Sequence, residues 1–260
     1  YSRKGNNYLH GLDFAGEDKV IFQETHLVDG TYIMMLDYKN NSINKLCRGD
    51  NSIYLQDTDE LIYYYYDEQL ELYQLVRSRL LDLDTREVLA VMPERITDKS
   101  GKMNWYRLFT PINLSNGKIL FQGEDLQFWI YDYQTSEKQK FGLGNEYYPL
   151  LFRAKTNELL SYKDENESYN KVLINMTTKE EVRIPQLDWG KGCTYIADYD
   201  SIIYSRGIIV PKFFYSIRSF SFENKKSRKI MDGNYESILW FKTIDYSNVA
   251  VAKVMEVPAI

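Results

Sequence analysis

Short apolar runs, each entered through a polar turn residue, recur along the chain: DKVIFQE at 18–24, DELIYYYY at 59–66, GKILFQG at 117–123, NELLSYK at 157–163, DSIIYSR at 200–206 and SNVAVAKV at 247–254. Runs of this length bounded by Gly, Asn or Asp predict strands. Behind five of them comes a second pattern, an alternating strand that ends in a cluster of Asp, Asn, Thr or Lys and continues into a charged strand: MLDYKNNSINKL at 35–46, LLDLDTREVLAVM at 80–92, IYDYQTSEKQKF at 130–141, LINMTTKEEVRI at 173–184 and SFSFENKKSRKI at 219–230. That pattern predicts hairpins. Alignment on the residue before each turn makes Asp37, Asp82, Asp132, Asn175 and Ser221 equivalent, about 45 residues apart. An aromatic-rich strand precedes some of the runs, as in NWYRLFTPI at 104–112 and YESILWF at 235–241. Each repeat is therefore a unit of four strands, named a to d.

Four strands every 45 residues or so is the period of a β-propeller blade, and an apolar-Asp-apolar strand end followed by Thr or Asn and a charged strand resembles the blades of TolB-like and quinoprotein-like propellers. The expected fold is all-β, a six-bladed propeller of four-stranded antiparallel blades in a single domain. Its blades run over about 7–46, 51–92, 104–141, 146–184, 193–230 and 235–260, the last completed by the N-terminal segment 1–6, because YSRKGNNYL at the start resembles SRKIMDGNY at 227–235. Pairing the termini leaves no long sheet edge open. Evenly spaced strands also suit an irregular β-sandwich.

Composition narrows the function classes. With 23 Tyr, 12 Phe and 44% hydrophobic residues the chain carries a packed core, and a net charge of -5 gives no global attraction for nucleic acid. No apolar stretch reaches the roughly 18 residues of a membrane span. Cys47 and Cys193 stand far apart without a CxxC partner, so neither a disulfide framework nor a zinc site is indicated. A start at Tyr1 rather than Met is expected from processing or from trimming of an N-terminal segment; the compartment stays open, with processing favouring an extracytoplasmic or secreted protein.

In a propeller the b–c and d–a connections share one end of the blades, usually the ligand end. The predicted b–c loops carry Glu24 and Asp29, Asp67 and Glu68, Glu124 and Asp125, Asp164 and Glu165, while the fifth departs from the pattern with Arg206 and Lys212. The opposite c–d turns carry Lys39, Arg86, Lys138, Lys179, Lys225 and Lys226. An acidic end and a basic end are expected, the acidic one attracting a protein or peptide with a basic patch. Trp189, in the Gly-flanked loop LDWGKGC, joins these acids as a candidate contact, and Trp105 is expected to begin a strand. His10 and His26 are the only imidazoles, and no HExxH, GxSxG or phosphate-loop pattern accompanies them. RGD at 48–50 is turn material. The sequence therefore favours a non-enzymatic binding scaffold with no catalytic residue, metal or cofactor. The alternative is a carbohydrate-active or other hydrolytic propeller that uses these carboxylates beside aromatic rings.

Overall fold

The computed structural model describes residues 8–15, 18–26, 30–92, 95–97, 103–105, 109–125, 127–144, 146–165, 168–187, 193–209, 213–233, 238–243 and 249–253. It is an all-β propeller of four-stranded antiparallel blades, and the chain divides into two compact units, Tyr1–Asn145 and Glu146–Ile260. In the first unit, blade 1 comprises β1 (Tyr8–Phe14), β2 (Lys19–His26), β3 (Gly30–Asp37) and β4 (Ser42–Arg48). Blade 2 comprises β5 (Asp50–Leu55), β6 (Glu60–Asp67), β7 (Leu72–Arg79) and β8 (Asp82–Met92). A separate hairpin, β9 (Arg95–Thr97) with β10 (Met103–Trp105), precedes blade 3, made of β11 (Ile112–Ser115), β12 (Lys118–Gln122), β13 (Phe128–Asp132) and β14 (Glu137–Lys140).

In the second unit, blade 4 is β15 (Tyr147–Arg153), β16 (Glu158–Glu165), β17 (Ser168–Asn175) and β18 (Glu181–Arg183). Blade 5 is β19 (Cys193–Ile196), β20 (Ser201–Ile209), β21 (Phe213–Ser221) and β22 (Lys226–Gly233), and the pair β23 (Ile238–Thr243) and β24 (Val249–Lys253) follows, with β23 beside β19. Complete blades therefore number five among the described residues, not the six expected: the sixth repeat supplies two paired strands only. The closing strand expected at 1–6 lies outside the described residues. Blade 3 begins at Ile112 rather than at 104, because Trp105 ends the β9–β10 hairpin instead of opening strand a.

Burial explains the uninterrupted apolar runs. Strand b carries much of the buried core, so its successive side chains alternate between two covered faces and most of them are apolar. In β6, Leu61 and Tyr63 join Ile21, Ile33 and Val76 in one cluster, while Ile62 and Tyr64 join Leu55, Ile119, Phe121 and Tyr131 in the other. The second unit repeats the scheme with Leu160, Leu173, Ile202, Tyr204 and Phe220. At the outside of the blades the pattern inverts: all residues of β14 and of β18 are exposed.

The c–d turns carry the chemistry that aligned them. Asp37 Oδ1 accepts from Asn40 N at 2.8 Å, Asp132 Oδ1 from Gln134 N at 3.0 Å, and Asn175 Oδ1 from Thr177 N at 2.9 Å. Four residues on from each aligned position, Asn41, Ser136, Lys179 and Lys225 adopt positive φ. These are Asx-type turns, in which a short polar side chain replaces a backbone partner. A second bond staples each c–d turn to the a–b turn: Tyr38 N to Asp18 O, Tyr133 N to Gly117 O, Met176 N to Asn157 O and Phe222 N to Asp200 O.

In blade 2 that staple runs from Leu80 N to Asp59 O, so the true equivalent of Asp37 is Arg79, not Asp82. Arg79 pairs with Asp82 across a two-residue turn, Leu80–Leu81, and residues 80–92 are a turn and one long outer strand rather than a hairpin. Asp82 Oδ1 still accepts from Thr85 N at 3.3 Å, and that local bend becomes a bulge inside β8, where Val76 meets Val88 and Arg77 meets Glu87.

Ion networks lock adjacent blades. Arg77 of β7 donates to Glu60 Oε2 (2.8 Å) and to Tyr131 Oη of blade 3 (3.0 Å), and Tyr131 donates on to Glu87 Oε1 (2.9 Å). In the second unit Arg153 of β15 bridges Glu158 and Asp200, its Nε lying 2.6 Å from Asp200 Oδ1, and Tyr195 donates to the same oxygen at 3.0 Å.

Candidate functional site

Strand ends place most of the expected acids differently from the loops assigned to them. Glu24 is inside β2, opposite Tyr32 and only 3% exposed, with His26 Nε2 at 3.4 Å. Asp67 closes β6 and is spent on its own turn, accepting from Gln69 N (2.9 Å) and Leu70 N (3.1 Å). Asp164 and Glu165 end β16, and Arg206 lies within β20 opposite Ser216. Asp29 and Trp189 are outside the described residues. His10 pairs with Gln23 in the β1–β2 ladder. Arg48, Gly49 and Asp50 form no free loop: Arg48 is ion-paired to Glu68, and a Cβ on Gly49 would come within 2.7 Å of Tyr63 Cδ2.

Pairing also neutralises several of the acids. Glu165 receives Arg183 Nη2 at 2.6 Å and Asn170 Nδ2 at 2.9 Å, and Asp125 Oδ2 receives Lys140 Nζ at 2.8 Å. Of the cations expected at the opposite end, Arg86 donates to Tyr63 Oη at 3.3 Å and stacks on Tyr65, and Lys138 donates to Leu89 O at 2.6 Å, bonds to neutral groups that position the cations and leave their charge in place. The expected acids that are described thus stand in local features of individual blades.

Two of these features belong to the first unit. The b–c turn of blade 2, residues 67–71, displays Asp67, Glu68 and Glu71 around Leu70, an apolar tip that is 57% exposed. The b–c turn of blade 3 opens into a cleft of about 270 Å³, lined by Leu89, Ala90 and Val91 of β8, by Phe121, by Gly123, Glu124 and Asp125, and by Trp129 and Lys138. Of the expected contacts, Glu124 and Asp125 are thus brought together here.

The turn explains how the cleft is built. Gly123 N donates to Gln127 O at 2.9 Å, and a Cβ on Gly123 would stand 2.7 Å from Trp129 Cδ1 and Nε1, so only glycine lets the indole lie against the main chain. Asp125 Oδ1 accepts from Trp129 Nε1 at 3.0 Å and from Gln127 N at 3.1 Å, which fixes the ring. Burial raises the Asp125 carboxyl, but the donors Lys140 and Trp129 outweigh it and hold the group below the ordinary aspartate range. Lys140 Nζ also lies 5.8 Å from the indole centroid. Glu124, exposed at the mouth, makes no ion pair among the described residues.

Trp129 did not stand out in the sequence, where Trp189 and Trp105 drew attention through their loops. The signal is there in register: the second or third residue of strand c is aromatic in all five complete blades, as Tyr32, Tyr73, Trp129, Tyr169 and Tyr215. Several carry edge contacts or cations, such as Tyr66 on Tyr73 at 5.0 Å and Lys45 over Tyr32 at 3.2 Å. These rings pair across the b–c hairpin and brace it.

Among the described residues no group of three His, Cys, Asp or Glu is placed to hold a metal, and no helix is long and apolar enough to cross a membrane. Neither a family model nor a curated protein matches the sequence. Solved structures do match. A putative TolB from Agrobacterium tumefaciens superposes with a TM-score of 0.60 at 6% identity, over 86% of this chain and 80% of that one. The propeller fold is thus similar to that of the TolB structures. TolB from Acinetobacter baumannii gives 0.55 at 9% identity, over 84% of this chain and 53% of that one. An oligogalacturonate lyase in complex with manganese gives 0.55 at 15% identity, over 88% and 65%. The chain thus spans less than two thirds of the lyase and about half of the Acinetobacter protein, and identities this low carry the fold alone.

Proposed function

We propose that the protein is a non-enzymatic binding module that holds a basic protein or peptide segment at the b–c ends of blades 2 and 3. The observation that carries this reading is the pairing, within one unit, of an exposed acidic turn tipped by Leu70 with a cleft that sets the half-buried Trp129 beside Glu124. An apolar anchor and an aromatic anchor rimmed by carboxylates suit a segment that alternates basic and apolar side chains. Glu71 contributes mainly to the rate of encounter, Glu68 being paired with Arg48, and Leu70 and Trp129 contribute to the lifetime of the complex.

Titration of a Lys/Arg-rich peptide by calorimetry at low and moderate salt tests the reading. Replacing Glu68, Glu71 and Glu124 together by Lys alters exposed side chains, releases Arg48 from its surface pair with Glu68, and leaves the turn-forming Asp67 and the ring-fixing Asp125 in place. Affinity is expected to fall by about tenfold or more at low salt, with a flatter salt dependence, because each reversal acts within a Debye length of the bound chain. Equal affinity for the triple variant and the unaltered protein would remove this face from the function.

A further inference from the structure

The cleft beside Trp129, of about 270 Å³, is smaller than the roughly 300–1,000 Å³ of usual small-molecule sites, and the exposed Glu124 is part of its lining. Its size suits one long side chain. Its walls differ in kind: Leu89, Ala90, Val91 and Phe121 offer an apolar channel, the fixed indole offers a π-face, and a carboxylate stands at the mouth. Both oxygens of Asp125 are engaged, Oδ1 by Trp129 and Gln127 and Oδ2 by Lys140, so Glu124 is the carboxylate left for an incoming group.

From this geometry we infer that the cleft is an arginine pocket: the aliphatic stem of a partner's arginine lies along Leu89–Val91, its guanidinium stacks on Trp129 and pairs with Glu124. The inference rests on the basic-partner reading and narrows it to one side chain. A planar, weakly hydrated guanidinium can stack on an indole and present two N–H groups to one carboxylate at once, whereas an ammonium does one of these well at a time. The protein already places a cation of its own near this ring, Lys140, in partnership with a carboxylate of the same turn. Lys138 opposes the arrangement. Its ammonium is pinned on Leu89 O at 2.6 Å, inside the cleft, and repels a second cation. That residue gives the inference a sign: loss of the Lys138 charge strengthens an arginine and weakens an anion.

Acetyl-Gly-Arg-Gly-amide and its Lys counterpart are titrated against the protein labelled at its indole nitrogens, with the Trp129 signal assigned through Trp129→Phe. The arginine peptide is expected to shift that signal and to bind about fivefold more tightly than the lysine peptide. Glu124→Gln, at an exposed position, is expected to weaken it about fivefold, and Lys138→Met, which keeps the aliphatic stem, to strengthen it. Equal binding of the two peptides, an unmoved Trp129 signal, or weaker binding in Lys138→Met would each overturn the arginine pocket. Salt-sensitive binding of the longer basic peptide that leaves Trp129 unmoved defeats the pocket and leaves the module's function standing. Loss of that salt-sensitive binding defeats the function itself.

Discussion

Removal of the Asp200 carboxylate is expected to destabilise the second unit severely. Asp200 is 5% exposed at the start of blade 5, and Arg153, also largely buried, reaches it from blade 4 through two N–H groups, with Tyr195 as third donor. Asp200→Ala leaves the guanidinium with Glu158 alone and strips Tyr195 of its acceptor. Breaking a buried pair from one side costs about 3–5 kcal/mol. Replacing Arg153 and Asp200 together by Leu restores part of that, because the buried guanidinium is no longer stranded and Glu158, which loses its cation, keeps its hydrogen bond from Thr156 Oγ1 at 2.6 Å. The carboxyl is held below its ordinary value of 3.8, first by the Arg153 hydrogen bonds and then by Tyr195, against the opposing effect of burial. A depressed folded-state pKa means that the stabilisation is fully present above about pH 4 and is lost as pH falls through the lower folded value. Urea unfolding followed by fluorescence, at pH 7 and in steps below pH 4, measures both effects. A cost under about 1 kcal/mol at pH 7, or a double variant no more stable than the weaker single one, would refute the view that this pair joins the blades.

Gly123→Ala must move the indole it touches and is expected to cost about 1–3 kcal/mol and to red-shift Trp129 emission; an unchanged spectrum would contradict the close packing of Gly123 on Trp129. Tyr131→Phe removes the hydroxyl that links Arg77 to Glu87, for an expected loss of about 1–2 kcal/mol in the first unit by urea unfolding. Burial pushes the Cys47 thiol up to about 11, so with Cys193 replaced by Ser its alkylation at pH 8 should run about tenfold slower than that of an ordinary thiol, after allowing for the greater nucleophilicity of the more basic sulfur. Rapid alkylation would show Cys47 to be more open than its half-buried place in β4 implies.

The repeat was legible because a strand covered on both faces is mostly apolar and an Asx turn favours Asp or Asn. Asp37, Asp132 and Asn175 sit where that logic puts them. It misplaced Asp82, since Asx chemistry marks a local bend but does not say whether the chain reverses there or bulges, and the neighbouring Arg79–Asp82 ladder pair settles which. Blade number failed at the C-terminal repeat, where two strands recur and a c–d hairpin does not. The carboxylates were readable as residues, yet Glu68, Asp125 and Glu165 meet their cations from strands 15 to 20 positions away, a distance that no local pattern reveals. Trp129 was hidden for the opposite reason: an aromatic residue in a strand reads as core, and only the missing Cβ of Gly123 and the bond to Asp125 turn it toward a cleft.

The full exposure of β14 has a dynamic consequence. A strand with no buried side chain is held by its ladder to β13 and by whatever its side chains can grasp, and two of its four residues, Lys138 and Lys140, grasp Leu89 O and Asp125. Opening of this strand therefore releases the wall of the cleft and the clamp on Asp125 in one step. Local unfolding of β14, measured as amide exchange, and the shape of the Trp129 pocket are two readings of the same equilibrium, and an occupant of the pocket that lies against Lys138 and Trp129 slows exchange along the outer edge of the blade.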